Sequence, residues 1–286
     1  MNGQSLLSDH AMPTFALLIM ITVTSAVILP GCDAVVNYFA FQPDNLNVLP
    51  ADQFPGGIEE FAVTTGDHVR IQGLYLPRAD SAKVVIYFHG NAGNIYHRIP
   101  DLVRLRESGV SVVGAGYRGY GNSEGTPSEA GIYQDGDAIY RYVTEELGYS
   151  EKNIIIFGRS IGTAVALHVA QHKQTGGLIL VTPLSSGKAQ AEASGLGVIA
   201  SIAENSFDNL DKIEHIKVPL LVIHGTRDRI IPFSMGKEIF DTARTRKHFI
   251  KIEGAGHNDL QDRYGQAYWP PIAEFINRID VDRTLH

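Results

Sequence analysis

Residues 154–166 read Ile154-Ile155-Ile156-Phe157-Gly158-Arg159-Ser160-Ile161-Gly162-Thr163-Ala164-Val165-Ala166. Four bulky apolar residues in succession are too few for a helix and fit a strand buried on both faces. A helix follows at once, so Gly158-x-Ser160-x-Gly162 must turn the chain within a few residues. Side chains two before and two after Ser160 would clash with its neighbours, hence Gly158 and Gly162. Ser160 is expected at the tip of a strained turn with its Oγ exposed. A helix N-terminus lies beneath it, where negative charge is favoured. Gly and Ser are common, and the five-residue pattern alone says little. The strand before it and the helix after it make Ser160 a candidate nucleophile.

Outward from this turn, further apolar runs too short for helices occur at 84–88, 110–113, 178–181, 220–223 and 248–252. Helical segments are expected near 95–107, 128–147, 161–173, 235–244 and 265–279. Two stretches at 59–64 and 69–76 alternate apolar and polar across Gly66-Asp67, as an antiparallel hairpin does. The alternation predicts an α/β fold: a mostly parallel central sheet of about eight strands with helices on both faces. Function in such sheets gathers past the C-terminal ends of the strands.

A serine hydroxyl needs a base, and the base needs an orienting group. Asp228 follows the next-to-last strand (Leu220-Leu221-Val222-Ile223-His224-Gly225-Thr226-Arg227-Asp228). His257 follows the last (Phe249-Ile250-Lys251-Ile252-Glu253-Gly254-Ala255-Gly256-His257). The order Ser160, Asp228, His257 is that expected of this architecture. His89 and His224 are rival histidines, each read as a hydrogen-bonded structural group; Asp208 and Asp259 are rival acids. The loop His89-Gly90-Asn91-Ala92-Gly93-Asn94 follows the strand at 84–88. The negative oxygen of a tetrahedral intermediate needs backbone donors, expected from the amides of Ile161 and Asn91.

With these three elements in place, the chain resembles the α/β-hydrolase superfamily, and within it a branch of membrane-associated serine hydrolases. The likeness runs from about residue 38 to residue 280. It rests on the motif His89 to Asn94 and on Tyr-Arg-Gly-Tyr-Gly-x-Ser-x-Gly-x-Pro-Ser-Glu, from Tyr117 to Glu129. Further matches are Phe207-Asp208-Asn209-Leu210, Val218-Pro219 and Gly254-Ala255-Gly256-His257-Asn258-Asp259. That branch usually has an acidic residue before Tyr117, where this chain has Gly116. The resemblance implies hydrolysis of esters or thioesters, often of acyl chains or lipids, without a cofactor. The same triad in a peptidase would cleave amides, and a membrane-tethered binding module could keep the fold with a dead site.

Residues 183–212 are expected to form a short cap lining an acyl pocket, or a helix packed on the sheet. Residues 14–29 are uncharged and largely apolar, and Leu29-Pro30-Gly31-Cys32 carries the sole cysteine of the 286 residues. The run is shorter than the roughly 20 residues of a membrane span. With Cys32 as its lipidation candidate, it resembles a bacterial lipoprotein signal, although residues 1–13 hold no Lys or Arg. The alternatives are an uncleaved anchor and an ordinary secretory signal. Each puts the protein at or beyond a membrane, as an extracytoplasmic lipoprotein in the first reading. Residues 1–32 are thus read as an address, 33–55 as a loosely packed connector and 56–286 as the catalytic domain.

Composition excludes several functions. One cysteine forbids an internal disulfide and a Cys-based metal cage. With 31 acidic against 24 basic residues and a net charge of −7, the chain is not built to coat nucleic acid. Gly114-Ala115-Gly116-Tyr117-Arg118-Gly119 spells a dinucleotide fingerprint, but turn residues follow it where a helix would be needed. His168 and His172 share a metal-like spacing without an adjacent glutamate, and Gly187-Lys188 lacks the earlier glycine of a phosphate loop. No metal or cofactor is expected.

Overall fold

A computed structural model describes residues 32–46, 48–171 and 173–279. The signal or anchor reading of residues 1–31 falls outside these residues, as do the side chain of Cys32 and the whole of His172. No helix among the described residues is long and apolar enough to cross a membrane.

Eight strands form one sheet: β1 (Glu59–Thr64), β2 (Arg70–Leu76), β3 (Val84–Phe88), β4 (Ser111–Ala115), β5 (Ile154–Arg159), β6 (Gly177–Val181), β7 (Leu220–Gly225) and β8 (Lys247–Ile252). Their spatial order is β8-β7-β6-β5-β3-β4-β2-β1. The pairs β1–β2 and β2–β4 are antiparallel and all others parallel, as the hairpin and the apolar runs imply. Every residue of β3, β4, β5, β6 and β7 is buried. That requires cover on both faces, and burial of each large aliphatic side chain is worth about 1.5–3 kcal/mol over exposure. Two apolar clusters supply the cover, one on each side of the sheet.

The covering helices are α2 (Ile99–Arg106), α3 (Glu129–Arg141), α4 (Gly162–Ala170), α8 (Phe233–Thr242) and α9 (Gly265–Arg278). Ser128 opens α3 by accepting from the amide of Gly131, as an N-cap serine does. Residues 183–212 fold into three short helices, α5 (Gly187–Ala193), α6 (Gly197–Ile202) and α7 (Asn209–Glu214), the first two packed together.

Residues 33–55 depart from the loose connector read in the sequence. They open on α1 (Cys32–Ala40), whose Val36 is buried with Phe41 in the main core cluster. Gln42–Pro43 then pairs in parallel with Ala92–Gly93. Nine Pro, Asp and Asn residues interrupt this stretch, yet buried Val36 and Phe41, partly buried Val48, Leu49 and Phe54 and one strand bridge dock it.

The structure leaves no room for a side chain at Gly116, where the resembled branch usually has an acid. The Gly116 amide bonds Gln72 O at 3.1 Å, and a Cβ there would come within 2.2 Å of that oxygen. Arg118 therefore finds other carboxylates: Asp135 of α3 through Nε at 2.9 Å, and Asp67 of the hairpin turn through Nη1 at 2.7 Å.

Candidate active site

The topology brings the ends of β5, β7 and β8 to one rim. At the end of β5, Ser160 adopts φ +54°, a left-handed conformation that costs an L-residue about 1–2 kcal/mol. Its surroundings hold it there. Ser160 N–H donates to Val181 O at 2.9 Å, and Thr163 N–H to Ser160 O at the same distance. A Cβ on Gly162 would lie 2.3 Å from Phe88 O, and one on Gly158 would lie 2.6 Å from Gly162 O. Both glycines of the turn are thus required by close backbone approach.

His257 Nε2 lies 3.1 Å from Ser160 Oγ, and His257 Nδ1 lies 2.7 Å from Asp228 Oδ2. An ionised carboxylate only accepts, so Nδ1 carries the proton and Nε2 is left to accept from the serine hydroxyl. Asp228 is heavily engaged. Its Oδ1 accepts from the amides of Ile230 and Ile231, both at 2.9 Å, and His224 Nε2 stands 3.4 Å from Oδ2. Burial alone would raise this carboxyl. The hydrogen bonds from His224 and His257, the electrostatic pull of the His257 ring and the Ile231 amide outweigh it and hold Asp228 well below the usual carboxylate range.

The rivals have other work. His224 Nε2 also bonds Ile231 O at 3.0 Å, so this histidine braces the Asp228 loop. His89 is fully buried, bonds Gly90 O through Nδ1 at 2.7 Å and packs against Tyr117 and Tyr120. Burial, helped by the charge of Arg98, pushes it down to about 3 and leaves it neutral. Asp208 accepts from the amide of Asp211 as the N-cap of α7, and Asp259 accepts from the amide of Gly256 in the turn before His257.

Ile161 occupies the N-cap of α4, where the first amides of a helix lack an intrahelical acceptor. Asn91, the other expected amide donor, is fixed by its own side chain. Asn91 Oδ1 accepts from Gln42 N at 2.7 Å and from Tyr120 OH at 3.1 Å. Ser160, Ile161 and Asn91 line a cavity of about 300 Å³, walled by α1, α5, α6 and the Ile230–Ile231 turn. Apolar side chains dominate its lining, and none of the described lining residues is acidic. No group of three metal-ligating side chains occurs among the described residues. His168 pairs with Asp137 at 3.1 Å and stacks on Tyr133.

Two contributors escape sequence reasoning. Arg159 Nη2 donates to the backbone oxygen of His257 at 3.1 Å, tying the Ser160 turn to the His257 loop. Its position next to Ser160 was the one available hint. Gln42 reaches Asn91 across 49 positions, and no local pattern announces such a contact.

A family profile described as "Serine aminopeptidase, S33" matches residues 79–212. The chain is 34% identical over 221 residues to alpha/beta hydrolase domain-containing protein 17B of Xenopus laevis, covering 77% of this chain and 75% of the relative. The human protein of that name is 32% identical over 223 residues, with 77% and 76% covered. Among solved structures, an esterase from Pyrococcus furiosus superposes with a TM-score of 0.69 at 20% identity, covering 83% of this chain and 97% of that one. An α/β hydrolase from Vibrio vulnificus gives 0.64 at 22% identity, over 77% of this chain and 81% of its own. Sheet order, the strand–turn–helix around Ser160 and these likenesses agree, and the chain belongs to the α/β-hydrolase family.

Proposed function

We propose that this hydrolase cleaves carboxylic ester or thioester bonds of acyl or lipid-like substrates through Ser160, His257 and Asp228. One observation carries the reading: the hydrogen-bonded line from Asp228 through His257 to Ser160 ends at the floor of an apolar cavity.

His257 Nε2 takes the proton as Ser160 Oγ attacks the carbonyl carbon. The carbonyl π bond opens, and its oxygen takes the negative charge between the amides of Ile161 and Asn91. The intermediate collapses, the bond to the leaving oxygen or sulfur breaks, and His257 returns its proton to that atom. Water then attacks the acyl-enzyme by the same route, releasing the acid and restoring Ser160. Asp228 holds the imidazole in one tautomer and stabilises its protonated form.

A peptidase reading follows from the aminopeptidase description of the matching profile. An aminopeptidase must hold a substrate ammonium, and the described cavity lining offers no carboxylate for it. Ester turnover is therefore expected to exceed aminoacyl-amide turnover. Ser160→Ala should abolish both labelling by a fluorophosphonate and hydrolysis of a p-nitrophenyl ester. Hydrolysis at the parental rate in that variant would refute the assignment. A parent protein inert to the probe would point to a binding module with a dead site. Membrane attachment through a lipidated Cys32 is part of the proposal, supported by the sequence of residues 14–32. Cys32→Ser should move the protein from the membrane to the soluble fraction.

A further inference from the structure

The stretch that joins the N-terminal apolar run to the catalytic body, residues 36–42, is built into the candidate site. Val36, Phe39, Ala40 and Gln42 line the same cavity as Ser160. Phe41 is buried beside Phe207 of the cap region, with ring centroids 6.2 Å apart, and α1 packs on α6. Gln42 N–H donates to Asn91 Oδ1 at 2.7 Å, while Gln42–Pro43 runs parallel to Ala92–Gly93. Two further bonds continue the seam: Asp44 N–H to Gly93 O at 3.2 Å, and Asn94 Nδ2 to Asp44 O at 3.0 Å. One short segment thus forms a cavity wall and also grips the loop whose Asn91 amide is the proposed oxyanion donor.

We propose that residues 36–42 are a specificity and positioning element: α1 sets the length of acyl chain the cavity accepts, and Gln42 fixes the oxyanion loop through Asn91. This rests on the hydrolase reading above. A wall residue acts on the acyl chain by contact, so its size changes the ranking of substrates. An amide that orients the loop acts on every substrate alike. The two roles are therefore separable by kinetics.

In the full-length protein, turnover of acetyl, octanoyl and palmitoyl esters would be compared for Ala40→Phe, Phe39→Ala and Gln42→Pro, with folding checked by thermal melting. Ala40→Phe adds bulk inside the cavity. It should lower kcat/KM for the palmitoyl relative to the acetyl ester by at least about tenfold, the scale of small steric changes in apolar pockets. Phe39→Ala removes part of a half-exposed wall and carries little folding risk; it should shift the preference the other way. Gln42→Pro deletes the single N–H that Asn91 accepts. It should lower kcat on all three esters by a common factor with KM nearly unchanged.

Unaltered chain-length ranking in both α1 variants, with acetyl turnover still dependent on Ser160, would overturn the proposal and leave the hydrolase reading standing. A kcat unaffected by Gln42→Pro would remove the positioning half. A parent inert to every ester would overturn both readings together.

Discussion

At the scale of single residues, Asp228 concentrates the most structure per atom in the site. It takes two amides, one histidine at 2.7 Å and a second at 3.4 Å. Asp228→Asn is expected to cut turnover by about 10⁴, because the amide no longer enforces the tautomer that leaves Nε2 free. Asp208→Asn and Asp259→Asn should stay close to the parent, since those carboxylates serve a helix cap and a turn. A loss in Asp208→Asn as large as in Asp228→Asn would reassign the acid. The same carboxylate links stability to pH. Its folded-state pKa lies below the ordinary 3.8, so its contribution is present above that value and is lost as pH falls from there through the lowered folded-state pKa. The melting temperature of the parent should therefore decline below about pH 4, and Asp228→Asn should flatten that decline. Ser160, Asp228 and His257 were legible because each follows a strand with turn residues around it, in the chain order this architecture uses. Two of the groups that hold them, Arg159 and Gln42, were not. Their contacts depend on which strand ends become neighbours, and a single sequence does not encode that locally.

At the scale of elements, the Gly158–Gly162 turn is a junction between β5 and α4 with no spare room. A Cβ on Gly162 would meet two backbone oxygens, Phe88 O at 2.3 Å and His89 O at 2.5 Å. Backbone of the central strand β3 cannot move aside cheaply. Gly162→Ala should cost about 1–3 kcal/mol in urea unfolding, the usual toll of overpacking, and should displace Ser160. Gly197→Ala in α6 is the control, since nothing lies within 4 Å of a Cβ there. Helix propensity predicts a neutral result or a gain of up to about 1 kcal/mol. If the two variants unfolded alike, steric crowding at the turn would not explain its glycines. The inner strands were legible for a related reason: burial on both faces writes itself as an unbroken apolar run. The helix α1 was not. Its contribution to the core is Val36, followed by Phe41 beyond its end, too sparse for any periodic signal, and Pro and Asp residues follow.

At the scale of the whole molecule, one buried arginine joins three parts that are distant in sequence. Arg118, in the loop after β4, binds Asp135 on α3 and Asp67 at the tip of the β1–β2 hairpin. Its backbone N–H donates to Asp135 Oδ2 at 2.8 Å as well, and Asp135 is wholly buried. The hairpin is antiparallel and sits at one edge of an otherwise parallel sheet, so this ion cluster supplements the β2–β4 ladder in fastening it. Removing one partner of such a cluster strands the other charge away from water. Arg118→Met should therefore lose about 3–5 kcal/mol, measured by denaturant unfolding. The loss should come mainly from the orphaned Asp135 carboxylate and less from a missing attraction. That distinction has a direct test in a double-mutant cycle. Asp135→Asn in the Arg118→Met background removes the stranded charge while keeping an acceptor for the Arg118 amide. It should restore part of the stability, with a coupling of about 1–3 kcal/mol between the two positions. Strict additivity would mean that the two side chains contribute independently, and the hairpin would then be held by its strand pairing and by apolar contacts such as Phe61 stacked on Tyr142 at 4.1 Å.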